Sequence, residues 1–263
     1  FGDGDFRPWR WWINSAEEQL VYLLAIGAKN PAYAVPPERF YQLDRTVQQH
    51  ADMPPFVVSW NGSLFTYFFS ACWIDFAKFG ADDPSQFGIE GPRVDWFENF
   101  RRATLTHCER CIEAADQLRT LAENRWGLAP CTGLNDKGEP SYLVPEIAPS
   151  HFGQDRWCQG TVAPYAAGTS IMFTPTESMS ALRAFRELRD DQGELLVWRE
   201  PEDYGLADSF NLDQQYASKD HVGIDVGPML LGIENVRSGL IWRLFHQHPT
   251  VQRAVERLRW QAR

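Results

Sequence analysis

The chain has 263 residues, 44% of them apolar and 23% charged, with a formal net charge of −10 at pH 7. This is the composition of one large globular domain or two small ones, with enough chain to bury a sizeable core. The acidic balance argues against a nucleic-acid backbone or an anionic membrane as partner, and no apolar run approaches the ~18 residues that a membrane span needs.

The first residue is Phe1 rather than Met, as expected of a processed chain, its signal removed, or of an excised piece. Ser15-Ala16-Glu17-Glu18 reads as a capping box, with Leu20, Leu23, Leu24 and Ala25 on one face and Gly27 as the stop. A second helix is expected after Pro36-Pro37, carrying Phe40, Leu43 and Val47. A third, over about 61–79, is aromatic nearly all round and should be buried. The fourth starts at the Asp95-x-x-Glu98 cap and keeps a helical period through Phe100, Thr104, Cys108 and Ile112 to about Ala122.

Residues 123–173 are rich in Gly, Pro and aromatics and show no helical period. A loop of that length inside a compact domain is usually functional. Thr174-Pro175-Thr176-Glu177 restarts order with a second capping box and a helix to about Asp191. A second loop, 192–221, leads to the stretch "HVGIDVGPMLLGIENVRSGLIWRLFHQHP". Its glycines and Pro228 mark a turn and a helix N-terminus, and Pro249 opens a last helix with Val251, Val255 and Leu258 on one face. About seven helices are expected and no convincing run of paired strands, although short strands fit near 195–197 or within the long loop. The class is all-α, with function on the long loops.

Five features carry the chemistry. Asp225 lies near the positive end of a helix dipole, either as a stabiliser of that end or as a cleft carboxylate for acid–base work. Glu234, Asn235 and Arg237 interrupt an apolar helix. Glu234 and Arg237 form an i,i+3 pair, and Asn235 is left to bond a loop. Such a helix fits the inside wall of a helical barrel, with Asp225 at the open end. Asp75, Asp208 and Asp213 are further acids to weigh. The five cysteines are odd in number and irregularly spaced, which does not make a disulfide framework. Cys108, Cys111, Cys131 and Cys158 could assemble a zinc site, but buried, unpaired thiols are the favoured reading, and no cofactor is expected.

The aromatic content is the fifth feature. Eleven Trp, 17 Phe and 8 Tyr recur along the chain, including Trp9, Trp11, Trp12, Trp60, Trp73, Trp96, Trp126, Trp157 and Trp198. Each is a good core residue, yet flat rings with a polar edge also stack on the apolar faces of sugars. The set favours a carbohydrate cleft.

The runs "WFENFRRATL", "GTVAPYAAGTSIMFTPTESMSALR", "DSFNLD" and "IDVGPMLLGIENVRSGLIWR" together resemble the glycoamylase-type domain of bacterial glycoside hydrolases. That family includes endo-β-1,2-glucanases and the transglycosylating domain of cyclic β-1,2-glucan synthases. The resemblance covers nearly the whole chain and implies an (α/α)6 toroid-like helical barrel. Seven helices fall short of twelve, so the chain looks like the C-terminal half to two-thirds of one, as a single domain over 1–263. The resemblance implies a hydrolase or transglycosylase acting on a β-glucan, with Glu17, Asp225 and Asp208 as the catalytic carboxylates. Trp73, Trp126, Trp157, Tyr165, Phe210 and Arg237 are the expected substrate-binding residues. An oligo- or polysaccharide is the expected partner, with the rest of a larger polypeptide beside it. The location is expected to be periplasmic or secreted, or cytoplasmic for part of a synthase.

The sequence also departs from the family pattern. The polar run "HQYSH" before "WIDF" is replaced by Tyr67 to Ala71, Thr132 stands where an Asp is usual, Cys158 and Gln159 replace an acidic pair, and Ala16 replaces an Asn. These exchanges leave two outcomes open: a different β-glucan, or a carbohydrate-binding scaffold that no longer hydrolyses.

Overall fold

The computed structural model describes Trp12 and residues 16–199 and 205–263. Nine α-helices are placed among these residues. They are α1 (Ala16–Ile26), α2 (Glu38–Tyr41), α3 (Phe65–Phe68), α4 (Trp96–Glu113), α5 (Pro164–Thr169), α6 (Pro175–Glu187), α7 (Gly223–Ser238), α8 (Leu240–Gln247) and α9 (Pro249–Leu258). Three antiparallel two-stranded ribbons lie between them: β1 (Val47–Gln48) with β2 (Phe56–Val57), β3 (Cys131–Leu134) with β4 (Pro140–Leu143), and β5 (Phe210–Asn211) with β6 (Tyr216–Ala217).

The class is all-α, as the helical periods predict. The helices pack around an aromatic core in which Phe40, Phe76, Phe100 and Trp260 meet edge to face or tilted. Helix α4 is the clearest agreement. The Asp95 carboxylate caps it by accepting from the Glu98 N–H at 3.1 Å, and Phe100, Thr104, Cys108 and Cys111 are buried along one side. Helix α9 opens with Pro249 at its first turn and buries Val251, Ala254 and Leu258.

Helix α7 packs on α5 through glycine. A Cβ at Gly232 would stand 3.1 Å from the Thr169 carbonyl oxygen, and one at Gly168 would stand 2.5 Å from the Met229 Sδ. The two backbones therefore approach more closely than side chains would allow. Asn235 holds the far end of α7: its amide donates to the Cys72 carbonyl at 2.8 Å and its oxygen accepts from the Trp242 N–H at 3.1 Å. This is the loop bond expected of it.

Several expected elements differ. The second helix is the short α2, and Val47 lies in β1, paired with Val57. The chain turns there because Arg45 goes inward to a buried two-pronged ion pair with Asp82, at 2.7 and 2.8 Å. Over 61–79 the chain forms α3 and two 3-10 turns rather than one helix, since its aromatic run holds a helix poorly and Asp75 leaves helical geometry at ψ 81°. The burial expected there holds: Phe68, Ala71, Cys72 and Ile74 are all buried. Helix α4 stops at Glu113, and turns bring Leu121 into the core. The long loop contains β3, β4 and α5. At α6 Pro175 is at the first helical position, but the Thr174 hydroxyl bonds the Ser170 carbonyl instead of capping. Pro228 lies inside α7 rather than at its start, and Gly239 at φ 64° separates α7 from α8. The Ser15 cap, Trp9 and Trp11 lie outside the described residues.

Candidate active site

The register of the β3–β4 ribbon pairs Thr132 with Tyr142. Directly opposed residues point to the same side of a ribbon, so both side chains face one way. On that side the loop before β5 brings Asp208, and the first turn of α7 brings Asp225; both are buried. The Thr132 backbone N–H and hydroxyl each donate to Asp208 Oδ2 at 3.0 Å. Asp208 Oδ1 is buried and receives no N–H or O–H among the described residues.

The Asp225 carboxyl is in hydrogen-bond contact with Asp208. Burial pushes the Asp225 carboxyl up to about 8, and the hydrogen bond and negative charge of Asp208 add to the rise. Tyr165 on α5 opposes it. That opposition is weakened because the single phenol proton of Tyr165 goes to the Pro130 carbonyl at 2.7 Å. Burial and a second acid beside it therefore favour the protonated form of Asp225 near neutral pH.

Glu17, in the first turn of α1, opens into a recess of about 520 Å³ with Val21, Tyr22 and Val35, and partial burial raises its carboxyl above the usual range. The Tyr142 phenol is raised by burial and then by the charges of Asp225, Cys131 and Glu17. Glu17 and Asp225 are therefore both in electrostatic reach of one phenol, itself 69% exposed. Tyr142 also lines a second recess of about 490 Å³ with Asn135, Asp136, Arg156, Trp157 and Gln159. The Trp157 indole lies beneath the Arg110 guanidinium, 5.4 Å from it. Rings, amides and charges at a mouth of this kind suit a polyhydroxylated ligand.

Four expected contacts lie elsewhere. Trp126 is 0% exposed and leaves no ring face for a sugar. Phe210 is fully buried against Phe185, with ring centroids 5.3 Å apart. Trp73 packs on Phe245 under the α7–α8 joint, near the end of α7 remote from Asp225. Arg237 is solvent-exposed at that same end, in a two-pronged pair with Glu234 at 2.7 and 3.0 Å. Twelve residues of helix, about 18 Å, separate it from Asp225. The five cysteines are free, and four are buried. Tyr142 and Ser218 were not singled out by sequence. The "NDKG" turn between two short runs was the signal for the ribbon that presents Tyr142.

Residues 10–249 match the model of the Glycoamylase family, described as "Putative glucoamylase". The chain belongs to the glycoamylase family. An exo β-1,2-glucooligosaccharide sophorohydrolase (non-reducing end) of Parabacteroides distasonis is 26% identical over 98% of this chain, which corresponds to 36% of that relative. The crystal structure of a β-1,2-glucanase from the same organism superposes with a TM-score of 0.73 at 25% identity, over 98% of this chain and 38% of that one. An endo-β-1,2-glucanase of Chitinophaga pinensis, in complex with sophorotriose and glucose, shares the fold at a TM-score of 0.70 and 22% identity, over 92% of this chain and 53% of that one. The chain thus spans about half or less of the length of these relatives. Its helical architecture is the glycoamylase-family α/α barrel over the part it covers.

Proposed function

We propose that this chain carries the carboxylate site of a glycoside hydrolase or transglycosylase acting on a β-glucan, with β-1,2 linkages as the substrate class. The observation that carries the reading is the buried Asp225–Asp208 pair, whose Asp225 carboxyl is raised to about 8, with Tyr142 in electrostatic reach of both Asp225 and Glu17. Relatives that act on β-1,2-glucooligosaccharides and β-1,2-glucan support the substrate class.

The roles proposed here follow from carboxyl spacing. Glycosidase carboxyls stand about 5–5.5 Å apart when retaining and roughly 6.5–9.5 Å when inverting. Asp225 and Asp208, in hydrogen-bond contact, are too close to straddle a glycosidic bond. Asp225 is therefore the general acid that protonates the leaving oxygen, and Asp208 is the anion that holds its proton in place. Glu17 is the facing carboxylate, acting as base or nucleophile. Tyr142 and Trp157 form the sugar platform.

The remaining length of the family has a place on this surface. Val226, Leu230, Ile233 and Val236 form an exposed apolar stripe along α7, and Val21 and Leu24 form another on α1. Helical hairpins of a larger polypeptide cover these two faces and close the toroid. The relatives carry about as much chain again or more, enough for such hairpins.

The test is turnover of β-1,2-glucooligosaccharides by the intact polypeptide, read as new reducing ends, with Asp225→Asn and Glu17→Gln beside it. Loss of turnover in both variants supports the reading. Binding without turnover in the parent protein replaces it with a carbohydrate-binding scaffold.

A further inference from the structure

The hydrogen bonds behind Asp208 run in one direction. The Asp220 backbone N–H donates to Ser218 Oγ at 3.1 Å. Ser218 Oγ and Thr132 Oγ1 are 2.6 Å apart, and Thr132 Oγ1 is 3.0 Å from Asp208 Oδ2. A backbone N–H can only donate, and an ionised carboxylate can only accept. With both ends fixed, Ser218 donates to Thr132 and Thr132 donates to Asp208. The Thr132 peptide is itself pinned: its N–H goes to Asp208 Oδ2 and its carbonyl accepts from the Ser209 hydroxyl. Ser218 is fully buried, and the Arg199 guanidinium bonds its carbonyl.

The geometry points to Thr132 and Ser218 as positioning residues, a one-way hydroxyl relay that fixes Asp208 as an acceptor beside Asp225. This rests on the reading of Asp225 as general acid. Two donors on Oδ2 stabilise the Asp208 anion and leave Oδ1 as its free lone-pair side. Without the hydroxyl, Asp208 Oδ2 keeps only one of its two donors, and the acceptor beside Asp225 is held less firmly. The other titratable groups that interact with this pair are Tyr165 on α5, Cys131 on β3 and Tyr142 on β4. None of them donates to Asp208 Oδ2. An Asp at position 132 would place a third acid here. Thr132 replaces that charge with a neutral donor.

Thr132→Val keeps the volume and the backbone N–H and removes only the hydroxyl. The relay predicts a fall in plateau kcat of about tenfold and a shift of the basic limb upward by about one pH unit, because the doubly ionised pair loses a donor. Ser218→Ala should move both in the same direction by less, and Thr132→Ser should restore both. Carboxyl carbon NMR of aspartate-labelled protein reads the same shift without any turnover. A pH limb and aspartate titrations unchanged in both Thr132→Val and Ser218→Ala overturn the relay, even if stability drops. An Asp225→Asn variant that keeps full activity overturns the acid assignment instead, and the NMR titration still decides whether the relay governs the pair.

Discussion

Asp225 and Asp208 are neighbouring buried acids, and Asp208 keeps one oxygen that no backbone or hydroxyl donor reaches. Burial, and then this neighbour, raise the Asp225 carboxyl to about 8, so Asp225 holds a proton below that pH. If that proton is the one given to the leaving sugar, kcat/KM falls as pH rises through about 8. Asp225→Asn should then lose about 10²- to 10⁴-fold in turnover and lose the basic limb with it. A pH–rate series on the intact polypeptide checks both.

The same titration is linked to stability. The folded-state titration of Asp225 is raised, so between the ordinary carboxylate range near pH 4 and about 8 the folded chain holds a proton that the unfolded chain has released. Stability from this group is therefore greatest at the acid side and declines as pH climbs to about 8. Asp225→Asn can still donate to Asp208 and has no proton to lose. Urea midpoints of the two proteins should diverge in the variant's favour from pH 5 to pH 9.

Trp157 and Tyr142 line one recess. Trp157→Ala should raise KM for oligosaccharides by about three- to tenfold and leave kcat nearly unchanged, as for contacts made equally in ground and transition states. Steady-state kinetics separates this from a catalytic role, in which kcat would fall.

Arg45 and Asp82 form a buried ion pair, with the Trp96 indole N–H also on Asp82 at 2.8 Å. Removing the cation strands a carboxylate in the core. Arg45→Ala should destabilise the fold by about 3–5 kcal/mol, while Asp82 and Arg45 replaced together by apolar residues should lose less. Denaturant titration of the three proteins gives the comparison.

Leu230 is 66% exposed on the apolar side of α7. If helical hairpins cover that stripe, the 263-residue chain alone should self-associate and bind a hydrophobic dye. Leu230→Glu should reduce both, and in the intact polypeptide it should destabilise the fold. A substitution harmless in both settings would leave the stripe without a covering partner.

The helices that could be read from sequence were those whose apolar period agrees with their caps. Asp95 and Phe100 predict α4 because the cap and the buried side belong to one helix. The stretch around Phe65 to Phe79 misled in form but not in burial, since tertiary contacts there reward aromatic packing more than helix continuity. Asp225 and Asp208 could be named from sequence as candidate acids, but not their proximity to each other, which depends on a ribbon inside a loop. Trp126 and Phe210 were indistinguishable from platforms because a core indole and a sugar-binding indole have the same composition. Arg237 and Asp225 share one helix, and only its length puts them at opposite ends.

The close approach of α7 to α5 at Gly232 affects how Asp225 is mounted. Seven residues, about 10 Å, separate that glycine from Asp225. A Cβ at 232 would stand 3.1 Å from the Thr169 carbonyl oxygen, so one of the two helices would have to give slightly. The seating of a buried acid thus leans on a residue that carries no charge and lies well away from it.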